Sequence, residues 1–452
     1  MSFSGGVVET AMNVTFPSLM EEFQIGTSAV QWITTGYLLV LAVIIPTSSY
    51  LKKRFRMKTL FITAIVLFII GTVMAAVTPV FSLLLLGRLI QGVGTGIALP
   101  LMFNITLEQV PAEKLGLMMG TASLITAMAP AVGPSVGGFI VNHFGWRMIF
   151  VALLPLLILS FIMGVTSIRQ VSETRKAPFQ VLDYLFLAVG FACFIFATST
   201  ASSTGWASLP VAALFALSIL CLAVFYYRCS HSKDPLIDVR VFHCLPFTLS
   251  VLVLVFIQFV CLGLGYLIPN YAQLVSGENA FTAGCLLLPG CLLGAFLSPI
   301  SGRLLDRFGA ARPILFGNVC IIFSLVCFTL FSGRLEILPC IGFYVFFALG
   351  QGCSVGNTMT NGLRQLSPAL NADGNAVINT LQQLAGAIGT SVVTTIVAAS
   401  QASLPGDTAL ATQQGSQEAF RLLAVITVLI LICSCSAFLL IRSRQKINAV
   451  HV

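Results

Sequence analysis

Long apolar stretches with almost no charge run through this chain from one end to the other. Most are about 20 residues long, which at about 1.5 Å per residue lets an α-helix cross a hydrocarbon layer of roughly 30 Å. A β-barrel would instead show apolar and polar residues alternating in runs of about 10. The chain is 57% hydrophobic and 8% charged, whereas soluble domains are roughly 25% charged. We therefore predict an all-α integral membrane protein.

Hydropathy places fourteen membrane spans along the sequence. The predicted spans are 3–20, 29–50, 59–78, 81–106, 115–141, 147–167, 183–201, 209–228, 247–270, 281–302, 313–332, 337–362, 374–400 and 420–442. The first span is barely long enough to cross, so we expect the natural chain to begin upstream of Met1.

Positive charge is concentrated on one side of these spans. The segment 52–58 holds five basic residues and no acid, and alternation puts most other basic loops on the same side. Of the 23 Lys and Arg, the exceptions are Arg88, Arg147, Arg334 and Arg421. This positive-inside pattern predicts a cytoplasmic-membrane protein with both termini in the cytoplasm. The net charge of +8 therefore reflects topology, and no nucleic-acid partner is expected.

An internal repeat predicts two bundles of the same orientation. The sequence SYLKKRFRMKTLF at 49–61 resembles SGRLLDRFGAARPIL at 301–315, and Gln91–Gly96 resembles Gln351–Gly356. We predict two six-helix bundles with an inserted helix pair. The predicted domains are 1–167 (N-terminal bundle), 168–246 (linker with inserted helices seven and eight), 247–442 (C-terminal bundle) and 443–452 (cytoplasmic tail).

The fifth span is rich in residues that break soluble helices. Thr121–Ile140 is uncharged and contains three glycines and two prolines. In lipid the backbone must bond to itself, and small residues let helices approach closely. We predict a helix kinked at its prolines, with a glycine face packed against another helix.

These residues resemble the major facilitator superfamily, and in particular its fourteen-span drug:proton antiporters of the EmrB/QacA type. The strongest match is the antiporter motif of the fifth span, with Ala in place of one Gly. Its positions here are Gly120, Ala129, Gly133, Pro134, Gly137 and Gly138. The resemblance implies an exporter, and we expect the glycine face to seal the interface between the two halves.

A loop motif of the same family occurs in two copies. The C-terminal copy is well matched, and the resemblance implies a cytoplasmic gate there, formed by Gly302, Asp306, Arg307, Gly309 and Arg312. In the N-terminal copy Lys53 replaces the acid that would hold the gate's ion pairs. We therefore do not expect Lys53 to carry a gate role.

Two charged residues lie well inside predicted spans. Glu9 belongs to a segment resembling the family's first-span motif, and Arg88 begins a match to its fourth-span motif. A lone carboxylate in lipid is costly unless it takes up a proton or a cation accompanies it. We predict that Glu9 carries the coupling proton and that Arg88 faces it. A surface position for Glu9 and a packing role for Arg88 are the alternatives.

A substrate cavity is expected between the halves at mid-membrane. Its apolar walls with few polar groups suit a lipophilic substrate. The candidate lining residues are Asn13, Trp32, Tyr37, Gln91, Tyr266, Asn270, Asn357, Asn361 and Gln382. Alternatives for many of these are interfacial anchoring or hydrogen bonds between helices.

The chain contains no ATP-binding phosphate loop, catalytic triad or CxxC pair. We expect no enzymatic activity, no metal site and no cofactor other than protons as coupling ion. The predicted function is proton-coupled multidrug efflux by a monomer. A uniporter, a symporter or an exporter of one metabolite is the main alternative, and a non-transporting sensor or scaffold is another.

Overall fold

The computed structural model describes residues 1–30, 32–170, 174, 178–205, 208–232, 234–403 and 407–450. Within these ranges it does not describe the side chains of Asn13, Pro17, Thr27, Ser28, Pro130, Ala131, Ser199, Ser202, Ser203, Thr204, Ala280, Arg334 and residues 444–450. The described backbone is helical, without strands.

The described residues of the N-terminal half form nine α-helices. They are α1 (Ser2–Val14), α2 (Phe16–Phe23), α3 (Thr27–Val30), α4 (Trp32–Ile44), α5 (Ser48–Arg54), α6 (Met57–Val77), α7 (Phe81–Gln109), α8 (Leu115–Phe144) and α9 (Arg147–Ser167). Helix α6 packs on α7 and α9, and α1 packs on α8. A 3₁₀ turn, Ile45–Thr47, contains Pro46 and joins α4 to α5 within one span.

The inserted pair and the C-terminal half follow. They are α10 (Val181–Thr204), α11 (Leu209–His231), α12 (Leu245–Leu274), α13 (Ala280–Cys285), α14 (Leu288–Phe308), α15 (Ala311–Phe331), α16 (Ile337–Leu363), α17 (Asn371–Ser403) and α18 (Thr408–Val450). Helices α10 and α11 form a hairpin, and α12 packs on α16, α17 and α18. The domain boundaries drawn from the repeat stay a prediction.

Twelve helical segments in the described chain are long and apolar enough to cross a membrane, or thirteen when the bent α8 is counted as one span. The all-α membrane fold is therefore confirmed, but the count of fourteen spans is not. The first predicted span is divided into α1 and α2, of 13 and 8 residues. The division falls at Thr15, just before Pro17, because proline has no amide hydrogen to continue the helical ladder.

Helix α8 is bent by 40° between Ala129 and Val132. Pro130 lies at the bend and cannot donate a backbone hydrogen bond, so the predicted kink is present. The other predicted kink residue, Pro134, lies within continuous helix.

The two halves meet along two seams. On one seam α8 packs against α14 and α16, and on the other α5 and α7 pack against α17. Helix α10 packs on both α4 and α17, and the Ser391 hydroxyl donates to the Thr198 carbonyl at 2.7 Å. The inserted hairpin therefore lies along the second seam. We call the end of the molecule that carries Lys52, Lys53 and Arg54 the basic end.

Candidate functional site

A buried polar cluster lies inside the N-terminal half, where α1, α4, α6 and α7 meet. Arg88 of α7 is fully buried, and its Nη1 donates to Gln91 Oε1 at 2.8 Å. Gln91 Nε2 in turn donates to Thr72 Oγ1 at 2.8 Å. The Tyr37 hydroxyl donates to Thr95 Oγ1 at 2.9 Å, and the Arg88 guanidinium carbon lies 4.2 Å from the centre of the Tyr37 ring.

The sequence of α7 explains how this cluster forms. Arg88, Gln91 and Thr95 are three and four residues apart, so they share one face of the helix. Gly5 lets α1 approach that face, because a Cβ there would lie 2.7 Å from Thr95 Cγ2. The close approach brings α1, and with it Glu9, next to the cluster.

Glu9 lies within electrostatic reach of Arg88 and Tyr37. Its side chain is partly exposed, and no direct ion pair joins it to Arg88. Arg88 Nε and Nη2 are buried without a hydrogen-bond partner. Unpaired donors on a buried charge are costly, so the guanidinium keeps two donors available for an acceptor that approaches it.

The glycines of α8 contact two different neighbours. A Cβ at Gly120 would clash with the Ser298 carbonyl of α14, across the seam between the halves. A Cβ at Gly137 would lie 2.8 Å from Ala11 Cβ of α1, and Gly133 faces Val7 and Thr10 of the same helix. We expected the whole glycine face to seal the interface between the halves. This is corrected, because Gly133 and Gly137, which lie farther from the basic end than Gly120, pack against α1 within the N-terminal half.

The other positions of the antiporter motif differ in how tightly they are packed. Ala129 is buried, and a Cβ at Gly6 of α1 would lie 2.7 Å from its Cβ. Gly138 has room, because a Cβ there would lie 3.7 Å from Val14. Pro134 is partly exposed.

At the basic end, Asp306 of α14 caps the start of α8. Its carboxylate accepts from the backbone N–H of Gly116 at 2.9 Å and of Leu117 at 3.0 Å. Arg364 Nη2 lies 3.2 Å from the same carboxylate and donates to the Ala112 carbonyl at 3.1 Å. A negative charge is favourable at a helix N-terminus, so Asp306 joins the two halves across the first seam.

The remaining residues of the predicted gate motif do not reach across the seam by hydrogen bonds. Arg307 and Arg312 lie over the Phe308 ring, 5.2 and 5.6 Å from its centre. Gly309 has a φ of 83° and ends α14, a conformation that favours glycine. Gly302 fits tightly against the backbone of Gly116.

The second seam holds an ion pair that the sequence analysis missed. Lys53 Nζ of α5 lies 2.8 Å from Asp373 Oδ2 of α17. We did not expect Lys53 to carry a gate role, and this ion pair shows that it nevertheless joins the two halves. Nearby, Asn375 donates to the Pro100 carbonyl and to Asn104 Oδ1, both at 2.9 Å. None of the motifs quoted from the sequence includes Asp373 or Asn375.

Several predicted cavity residues have their polar groups engaged in helix packing. Tyr37 and Gln91 belong to the Arg88 cluster. Asn357 is buried, and its amide donates to Ser301 Oγ at 2.7 Å and to the Cys353 carbonyl at 2.8 Å. Trp32 is 41% exposed, with its ring 5.7 Å from that of Phe196 on α10.

The other cavity candidates are scattered over both halves. Asn270 has a buried Oδ1 without a partner, and Asn361 is 9% exposed. Tyr266 and Gln382 are partly exposed, while the Asn13 side chain lies outside the described residues. A groove of about 390 Å³ between α6 and α9, lined by Phe61 and Met163 among others, contains none of these candidates. The substrate-binding role of the set stays a prediction.

Comparison with known proteins identifies the family. Residues 1–390 match the Major Facilitator Superfamily. The chain is a member of the major facilitator superfamily. The membership makes it a membrane transporter rather than an enzyme, and it confirms the resemblance drawn from the motifs.

Two relatives within the superfamily cover nearly the whole chain. The lincomycin resistance protein LmrB of Listeria monocytogenes serovar 1/2a is 37% identical over 441 residues, which are 96% of this chain and 93% of that protein. LmrB of Bacillus subtilis strain 168 is 36% identical, over 95% of this chain and 92% of its own length.

A solved major facilitator structure has the same fold. The crystal structure of the human organic anion transporter MFSD10 (TETRAN) matches with a TM-score of 0.64, over 96% of this chain and 97% of that one. The sequence identity is 13%, so the likeness supports the fold alone.

Proposed function

We propose that this major facilitator protein exports lipophilic or cationic drugs across the cytoplasmic membrane in exchange for protons. The observation that carries the proposal is the position of Glu9 beside Arg88. Glu9 is the one carboxylate of α1, and it lies within electrostatic reach of a buried guanidinium that keeps two donors unpaired. The basic end faces the cytoplasm, in line with the positive-inside rule, and so do both termini.

The proton acts through the attraction between these two side chains. An ionised Glu9 is drawn to Arg88, whose Nε and Nη2 supply donors, while Gln91 and Tyr37 hold the guanidinium in place. Protonation removes that attraction and releases α1. Each step is a shift between two packings, biased by the proton and by the drug.

Helix α8 carries this change to the interface. Gly133 and Gly137 of this helix pack on α1, and its N-terminus, at the basic end of the molecule, is capped by Asp306 of the other half. A displacement of α1 therefore acts on the helix that closes the first seam.

The drug cargo is supported by the relatives. Both LmrB proteins are named for lincomycin resistance and align with nearly the whole chain. We therefore include lincomycin beside lipophilic cationic dyes as test substrates, since Glu9 as the one proposed coupling acid suits neutral or singly charged cargo.

Efflux from vesicles tests the proposal. Vesicles containing the wild type expel lincomycin or a cationic dye when a proton gradient is imposed. Glu9→Gln, which keeps the shape of the side chain but cannot ionise, loses the gradient-driven part of efflux. Glu21→Gln is the matched control. Glu21 is exposed on α2, so this variant makes the same chemical change outside the cluster.

Two results would contradict the proposal. One is gradient-driven efflux at the wild-type rate in Glu9→Gln. The other is accumulation rather than expulsion of every substrate, which would favour an importer on the same fold.

A further inference from the structure

Asp373, in the first turn of α17, is fully buried at the basic end. Its carboxylate is surrounded by donors from two other parts of the chain. Ser49 Oγ donates to Oδ1 at 2.5 Å, and Lys53 Nζ donates to Oδ1 and Oδ2 at 3.1 and 2.8 Å. The backbone N–H of Asp238 donates to Oδ1 at 3.0 Å.

These donors offset a large desolvation cost. A buried carboxylate is tolerated only when it is paired and hydrogen-bonded. Ser49 and Lys53 belong to α5 of the N-terminal half, whereas Asp373 belongs to the C-terminal half. Separating α5 from α17 removes the cation and one hydrogen bond together, so Asp373 favours the arrangement in which the basic end is closed.

Comparison of the two copies of the loop motif shows that the acid and the cation have opposite positions on the two seams. Lys53 occupies the position that Asp306 holds in the other copy of the loop motif. On the first seam the acid lies on the motif and the donors lie at the start of α8 and on Arg364. On the second seam the motif supplies the cation, and the acid lies in the first turn of α17.

The third donor comes from the linker that follows the inserted hairpin. The 3₁₀ turn Val239–His243 of this linker packs on α11, α12 and α17, and Val239 is buried in a cluster that includes Phe247 and Leu363 of the C-terminal half. The linker is thus held by the C-terminal half, and the Asp238 N–H stays on Asp373 when α5 moves away. This retained bond lowers the cost of opening, since the carboxylate is never left without a donor.

We propose that Ser49, Lys53 and Asp373 form a latch of reversed polarity that holds the second seam closed at the basic end. The linker after the inserted hairpin is the third part of the latch, because the Asp238 N–H donates to Asp373 and stays in place when the latch opens. The role of the latch in a transport cycle rests on the proposed function, but its existence as a lock between the halves does not.

Hydrogen–deuterium exchange of the full-length protein in lipid nanodiscs tests the latch without substrate or proton gradient. Lys53→Met removes the cation and keeps most of the side-chain volume. We expect the exchange rate in peptides covering Ser48–Arg54 and Gly374–Ile378 to rise by roughly tenfold. This is less than the full free-energy cost of removing one partner of a buried ion pair would produce. Lys53→Arg, which keeps the charge, should exchange like the wild type.

Lys52→Met is the matched control. Lys52 is the neighbouring lysine of α5 and also forms an ion pair, but with Glu108 of α7 within the same half. Its loss should leave exchange at Gly374–Ile378 unchanged. Ser49→Ala should give a smaller rise than Lys53→Met in the same two segments, because it deletes one hydrogen bond and no charge.

The double variant Lys53→Met with Asp373→Asn supplies a further check. If the two residues act on each other, the double variant exchanges no faster than Lys53→Met alone. Unchanged exchange at Gly374–Ile378 in Lys53→Met would overturn the latch, as would an equal rise in Lys52→Met. A protein that shows the latch but exports no drug would refute the proposed function and leave the latch standing.

Discussion

Two arginines of the N-terminal half are held in opposite ways. Arg147, at the start of α9, donates to both carboxylate oxygens of Glu22, at 3.0 and 2.6 Å, and to the Thr78 carbonyl at 2.8 Å. Arg88 has a single hydrogen bond and two buried donors without a partner. The first arginine is fixed by its partners, whereas the second has donors to spare for a changing partner. This difference supports a structural role for Arg147 and a functional role for Arg88.

The Glu22 ion pair predicts a pH-dependent contribution to stability. Its hydrogen bond with Arg147 lowers the pKa of Glu22 below the usual 4.5. A lowered folded-state pKa stabilises the protein above pH 4.5, and the stabilisation is lost as the pH falls through the lowered value. Glu22→Gln should therefore reduce the melting temperature at neutral pH, and the difference from wild type should shrink in acid.

Thermal unfolding in detergent at a series of pH values measures this difference. Glu21→Gln is the control, since Glu21 is the adjacent, exposed acid. A difference between wild type and Glu22→Gln that stays constant below pH 4.5 would rule out the ion pair as its cause.

At the scale of single helices, α8 connects the proposed proton site to the interface. Near its basic end Gly120 packs against the α14 backbone, and farther along Gly137 packs against α1. Both contacts require a glycine, but Gly120 contacts the other half, whereas Gly137 contacts a helix of its own half. The motif is thus a two-sided packing surface on one bent helix.

Alanine substitutions along α8 distinguish tight from loose glycine positions. Gly120→Ala places a methyl group against the Ser298 carbonyl, and overpacking of this kind costs about 1–3 kcal/mol. Gly138→Ala meets only an ordinary contact at 3.7 Å from Val14, so the helix propensity of alanine should make it neutral or stabilising by up to about 1 kcal/mol. Denaturant unfolding of the two variants checks the order. Equal stability losses would contradict the assigned packing.

The sequence was sufficient for the helices because apolar length and charge placement are local signals. Hydropathy alone predicts residues 3–20 as one span. Pro17 in the sequence is nevertheless a signal for the division into α1 and α2. The Lys53–Asp373 pair was not predictable, because its residues are 320 positions apart and Lys53 departs from the family motif. Hydrogen bonds between helices were an expected alternative for Gln91 and Asn357, but their partners were not predictable, since a polar residue inside a span gives no sign of its partner.

In the whole molecule, the polar links between the two halves in the described chain gather at the basic end. Asp306 closes the first seam, and Asp373 with Asn375 closes the second. These links lie on the two seams of one interface between the halves, so we expect each to restrain the same opening motion. The structure is therefore the form closed at the basic end, which in the proposed orientation is the form closed to the cytoplasm.

This shared restraint predicts that breaking either link exposes the same interior position. Ser123 of α8 is buried against Gly356 of α16, between the halves. With Ser123→Cys as a probe, a water-soluble maleimide should modify residue 123 several-fold faster in Asp306→Ala than in the parent, as followed by mass spectrometry of the α8 peptide. Lys53→Met, on the opposite flank, should also accelerate the reaction, because opening moves each half as a unit. Arg307→Ala should not, since Arg307 lies over the Phe308 ring of its own half. Acceleration by Asp306→Ala alone would mean that the two seams open independently.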